Sequence, residues 1–174
     1  LGDEVFFDAL LDYTQNPDFA YKNASTEDLQ QSFENTSGMD LDFFFDQWIY
    51  DERWPFYHYN YAQGGNNNLS VVIQQVQESL YGYRPVFQMP VRIYVGFTDD
   101  TDTTLSVWND QQTQQFDFAL DKEVAEVLID PDKWILRKTL FQPSLPVGIS
   151  KNTEPVGITV YPNPFSDKVT IRLP

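Results

Sequence analysis

The 174 residues contain no cysteine, which excludes a disulfide framework, a thiolate zinc site and a cysteine nucleophile. Histidine occurs once, at His58, without an HxxxH or HxH companion. A histidine-rich metal site therefore cannot be assembled, and a Ser-His-Asp triad would have to use that one imidazole. No G-x-S-x-G supplies a nucleophile elbow. Gly64-Gly65 is followed neither by Lys-Ser/Thr nor by a helix start, so a phosphate loop is missing as well. Apolar runs are short, and none approaches the roughly 20 residues of a membrane span. Positive charge is scarce: 11 Lys and Arg face 26 Asp and Glu, for a net charge of -15. Such a field repels phosphate backbones and argues against a nucleic-acid partner.

What is present is a globular composition, 41% hydrophobic and 16% aromatic, long enough for one ordinary domain or two small ones. Half of the acids precede Pro55, where only Lys22 and Arg53 oppose them; the plain reading is a solvated helical surface. LGDEVFFDALL at the start has neither an initiator Met nor a signal pattern, and TIRLP stops within an alternating strand. The expectation is a segment of a longer protein.

Helical periodicity governs residues 1–54. In LGDEVFFDALLDYTQNP, Asp3 is the expected N-cap, Phe6, Ala9, Leu10 and Tyr13 share one face, and Asn16-Pro17 stop the helix. STEDLQQSFENTSG begins a second helix at Ser25 or Thr26, anchors it through Leu29 and Phe33, and closes it at Gly38. The aromatic stretch DLDFFFDQWIYDERWP forms a third, capped by Asp40. Leu41, Phe44, Phe45 and Trp48 lie on one stripe, and Asp42, Asp46 and Gln47 point away. Helices this short are marginal alone, so the bundle is expected to lean on another surface.

After Pro55 the period becomes 2. FYHYNYA puts Tyr57, Tyr59 and Tyr61 on one face and Phe56, His58 and Asn60 on the other. GGNNN turns into LSVVIQQVQ. VFQMPVRIYV, TLSVW, QQFDFAL, EVLIDP and KWILRKTLF follow, the last two separated at Asp130-Pro131-Asp132. Seven or so strands at about ten-residue intervals predict an immunoglobulin-like antiparallel β-sandwich. Pro90 suggests an edge position or a bulge. The aromatic face of helix three and the tyrosine row are expected to meet in one hydrophobic junction.

Chemistry is harder to find. Asp99, Asp100 and Asp102 have the oxygen density of a calcium loop but lack its Gly and distal Glu, so a solvated hairpin turn is the plainer reading. Carboxylate neighbours such as Asp51-Glu52 arise readily in an acidic chain. Asn23, Asn35 and Asn68 open Asn-x-Ser patterns. No catalytic, cofactor-binding or metal-binding residue is assigned.

Two resemblances supply a context. LGDEVFF, then NASTEDLQQSFENTSGMDLDFFFDQWIYDERWP, then strands with QQVQ and FQMPVRIYV, resemble the region downstream of the catalytic centre in zinc aminopeptidases of the aminopeptidase N type, which are gluzincins. The resemblance implies that 1–54 are the last helices of a thermolysin-like catalytic domain and 55–142 a β-sandwich domain. In that family the HExxH helix, the third zinc ligand, the Gly-x-MEN loop and the catalytic Tyr all lie upstream of LGDE, and no position here matches them. Zinc is thus expected in the full-length parent and not in this fragment. The parent would use zinc-bound water to remove N-terminal residues from a peptide substrate. PVGITVYPNPFSDKVTIRLP, in turn, is similar to the start of a type IX secretion C-terminal sorting domain, which implies 143–157 as linker, 158–174 as a truncated sorting domain, and a secreted or cell-surface location. The expected partners are the upstream catalytic domain of the same chain and the secretion machinery. The competing expectation is a secreted, non-catalytic β-sandwich module for adhesion or glycan binding.

Overall fold

The computed structural model describes residues 1–148, 159–161 and 170–172. Helical segments come first and a seven-stranded block follows, so the fold is α+β with a β-sandwich, as the change of period predicts.

α1 (Asp3–Gln15) begins at the residue expected as its cap: Gly2 takes the N-cap position at φ 83°, and Asp3 lies inside the first turn. The helix ends at Asn16, before Pro17. α2 (Thr26–Ser37) is entered through a reciprocal capping box. Asp28 N donates to Ser25 Oγ at 3.2 Å, and Ser25 N donates to Asp28 Oδ2 at 2.8 Å, so two otherwise unpaired N–H groups are satisfied. Gly38 closes the helix in the left-handed region at φ 67°.

α3 (Asp42–Phe45) passes directly into a π turn, Asp46–Tyr50. Its N-cap position is Leu41, and the Asp40 carboxylate contributes by accepting from Asp42 N at 2.9 Å. The wider turn shifts the phase of every following side chain relative to an α-helical wheel. The expected stripe is split, and of its members only Trp48 lies within the π turn. Leu41 and Phe45 bury with Ala9 and Phe33 in a small helical core, Trp48 turns to the sandwich core, and Phe44 is exposed. Gln47, expected to point away, is 1% exposed.

The sandwich comprises β1 (Phe56–Gln63), β2 (Asn68–Gln75), β3 (Met89–Phe97), β4 (Asp102–Asn109), β5 (Thr113–Ala119), β6 (Val124–Ile129) and β7 (Lys138–Phe141). One sheet runs β5-β2-β1-β7 and the other β4-β3-β6. All neighbours are antiparallel except β1 and β7, which are parallel. A short helix, α4 (Gln77–Tyr81), follows β2; the alternating pattern did not signal it.

Alternation places the core. Tyr57, Tyr59, Leu69, Val71 and Ile73 face inward from one sheet, and Val91, Ile93, Val95, Val127 and Ile129 from the other. Pro90 sits in β3, the central strand of its sheet, yet pairing with β6 begins only at Ile93. The missing N–H therefore breaks no ladder on that side.

The segment after β6 is less regular than KWILRKTLF suggests. Asp130 is fully buried and accepts from Trp134 N at 3.0 Å and Ile135 N at 3.1 Å. Those N–H groups circle a carboxylate and cannot join a sheet, so β7 is confined to four residues. Beyond it the chain is fastened to the outer face of the first sheet. Asn60 Nδ2 donates to Pro143 O (3.2 Å) and Leu145 O (2.8 Å), and Gln115 Nε2 donates to Gly148 O (2.6 Å). Asn60 and Gln115 both pair in register with Val72, which is 3% exposed. β8 (Thr159–Tyr161) and β9 (Thr170–Arg172) pair antiparallel. Apart from Tyr161, the YPNP motif lies outside the described residues, as does most of the stretch read as linker.

Candidate functional site

The richest concentration of polar and aromatic groups lies where the helical part meets the sandwich. Residues 82–88, between α4 and β3, and Trp108 of β4 receive the helical part through four contacts. Gln47 grips one peptide unit from both sides: its Nε2 donates to Gln88 O at 2.7 Å, and Gln88 N donates to its Oε1 at 2.8 Å. Trp48 packs on Phe87 with ring centroids 5.3 Å apart. Arg84 Nε pairs with Asp51 Oδ2 at 2.5 Å, and the Asp51 carboxyl is held below its usual range by the Glu52 N–H and then by Arg84. Phe43 meets Trp108 edge to face at 5.6 Å. An aromatic junction thus exists, but it is made by Phe43, Gln47 and Trp48 on Trp108, Gln88 and Phe87 and not by the expected stripe on the tyrosine row, and Phe44 is exposed.

Behind this contact, buried amides fix the receiving loop. Phe87 N donates to Gln75 Oε1 and Gln75 Nε2 to Phe87 O, both at 2.8 Å. The same Nε2 reaches Asn109 Oδ1 at 2.8 Å, and Gln77 Nε2 donates to Gln75 Oε1 at 3.0 Å. Gln77 also bonds Arg84 O, Pro85 O and Phe56 N. Gln75, Gln77 and Asn109 are 1% exposed or less, so each needs these partners. The QQVQ run belongs to this network.

Beside the network opens a pocket of about 190 Å³. Trp54, Phe56, Tyr81 and Tyr83 line it with rings, and Gln77 lies at its wall. Arg53 and Lys138 add positive charge. The Arg53 guanidinium lies 4.8 Å from the Tyr83 ring centroid, and Lys138 Nζ lies 5.8 Å from that of Phe56. Tyr81 stacks on Tyr83 at 5.5 Å. Nothing in the sequence pattern groups these residues; Arg53, at φ 79°, is set by a backbone conformation that the sequence does not advertise.

The other candidates are dispersed. His58 stands on the face of β1 away from the core, edge-on to Phe56 at 5.0 Å. Asp99 tightens the β3–β4 hairpin: its Oδ1 accepts from Thr101 N (3.2 Å) and Oγ1 (2.5 Å), and its Oδ2 faces Lys122 Nζ at 2.9 Å. Thr101 and then Lys122 pull its carboxyl down to about 2. Among the described residues, the acids whose oxygens converge are instead Glu34, Asp40 and Asp42. Glu34 Oε1 already accepts from Leu41 N (2.9 Å) and Gln30 Nε2 (3.1 Å), and Asp42 Oδ1 from Gln30 Nε2 (2.7 Å). All three carboxylates thus already accept hydrogen bonds within the helical part, Asp40 from Asp42 N. No helix among the described residues is long and apolar enough to cross a membrane.

The architecture is a helical part braced against a β-sandwich, and solved structures share it. No family model and no curated protein matches the chain. The structure of Legionella pneumophila aminopeptidase A in complex with aspartic acid matches with a TM-score of 0.63 and 19% identity. The match covers 82% of this chain and 16% of that one, so the chain spans about a sixth of the length of its structural neighbour. The likeness establishes a shared fold over that 82% of the chain.

Proposed function

We propose that this chain is a non-catalytic C-terminal portion of a secreted zinc-dependent aminopeptidase of the aminopeptidase N type, and that its own work is structural. The observation that carries the reading is the shared fold over 82% of the chain with an aminopeptidase. The order of motifs from LGDE to FQMPVRIYV supports it. Residues 1–54 close a catalytic domain encoded upstream, 55–142 buttress it, and the segment from 158 addresses the protein to type IX secretion. Zinc and the peptide substrate belong to the upstream domain, where the resemblance puts the HExxH motif. α1 fits this role: Phe7 and Leu11 are 63% and 52% exposed, an apolar face suited to cover by that domain.

The test is to read the coding sequence upstream of Leu1 and assay the longer product on peptides with a free N-terminus. HExxH with a downstream Glu ligand, and hydrolysis abolished by chelation and restored by zinc, is the expected result. An upstream sequence without that motif, together with saturable binding of a polysaccharide by the chain, would replace this reading with an adhesion or glycan-binding module.

A further inference from the structure

The geometry points to the pocket between Arg53 and Lys138 as a binding site for a small aromatic carboxylate. The pocket is positive in a chain of net charge -15, and its two cations are the least neutralised part of its wall. Lys138 makes no ion pair among the described residues, and Arg53 has only Glu52 at 3.9 Å, both side chains being well exposed. A guanidinium lying over a tyrosine ring keeps its N–H edge free, and that edge matches a carboxylate bidentately. The ammonium of Lys138 lines the same pocket and adds a second, undirected attraction.

Size and lining narrow the class. About 190 Å³ is well below the roughly 300–1,000 Å³ of sites for drug-sized ligands, so one ring with its carboxylate is the natural occupant. Four aromatic side chains line the space. The wall amide of Gln77 is committed to Gln75, Arg84 and Pro85. Ring hydroxyls of a sugar acid would find few partners there beyond the two phenols, whereas a flat apolar ring loses nothing. A polyanion is disfavoured by the chain's net charge of -15. The inference does not depend on the peptidase reading, because every group it uses lies within this chain.

The experiment is an NMR titration of the 174-residue chain with benzoate, following the Trp54 indole N–H, assigned with Trp54→Phe. Saturable binding with Kd on the order of 1 mM is expected for so small a ligand. Benzyl alcohol, which keeps the ring and loses the charge, should bind at least about tenfold more weakly, and glucuronate likewise. Arg53→Gly removes the cation while relaxing the positive φ, and Lys138→Gln removes the second; each should weaken benzoate about fivefold or more, and Lys22→Gln should not. The other three indole signals verify that each variant is folded. Absence of saturation, equal binding of benzyl alcohol, equal or tighter binding of glucuronate, or indifference to both pocket substitutions would each overturn the assignment.

Discussion

Tyr57 lies fully buried in the sandwich core, and its hydroxyl has no hydrogen-bond partner among the described residues. Burial, and then the nearby Asp130, push its phenol well above the ordinary tyrosine range. A buried hydroxyl without a partner has lost water and gained nothing in return. Tyr57→Phe deletes only that oxygen, so we expect the variant to be more stable by about 1 kcal/mol in urea unfolding; a loss of stability would show that the hydroxyl has a use. The inward aim of Tyr57 was legible from period-two spacing alone. The unpaired hydroxyl was not, because it depends on where Asp130 and Arg137 sit. Gln47 teaches the converse. On an α-helical wheel it falls on the polar side, and only the π turn brings its amide to Gln88.

At the scale of elements, the legible features were those whose cause is local. Ser25, Asp28 and Gly38 bound α2 through caps written in adjacent residues, and alternation located most strands to within a few positions. Features that failed were set from a distance. The π turn answers to the loop 82–88, and the truncation of β7 answers to a carboxylate that binds Trp134 N and Ile135 N. The β3–β4 hairpin is a local case with a measurable pH signature. Asp99 titrates near 2 in the folded chain against an ordinary 3.8, so its contribution is complete above about pH 4 and disappears as the pH falls through about 2. The melting temperature of the wild type should therefore exceed that of Asp99→Asn by a constant margin above pH 4, and the margin should close towards pH 2. A margin that persists unchanged at pH 2 would contradict the hydrogen bonding to Thr101 and Lys122 as its source.

For the whole molecule, the expected single aromatic junction resolves into two cores of unequal size. The helical cluster has four buried apolar residues, Ala9, Phe33, Leu41 and Phe45, whereas the sandwich cluster runs through both sheets. So small a core gives short helices little stability of their own. What holds them is the grip of Gln47 on Gln88 and the packing of Trp48 on Phe87. Removing the first leaves a peptide unit unpaired, at about 1–3 kcal/mol, and truncating the second costs about 3 kcal/mol. Together these are enough to release the smaller core while leaving the larger intact. In Gln47→Ala/Trp48→Ala, amide hydrogen exchange across α2 should accelerate by about two orders of magnitude or more, while inner amides of β2 and β3 keep their protection. Tyr50 and Glu27, joined at 2.8 Å across the helical part, should lose that contact too. If α2 stays protected, the helices are self-supporting; if β2 and β3 lose protection equally, the chain folds as one cooperative unit and the division into two cores has no energetic meaning.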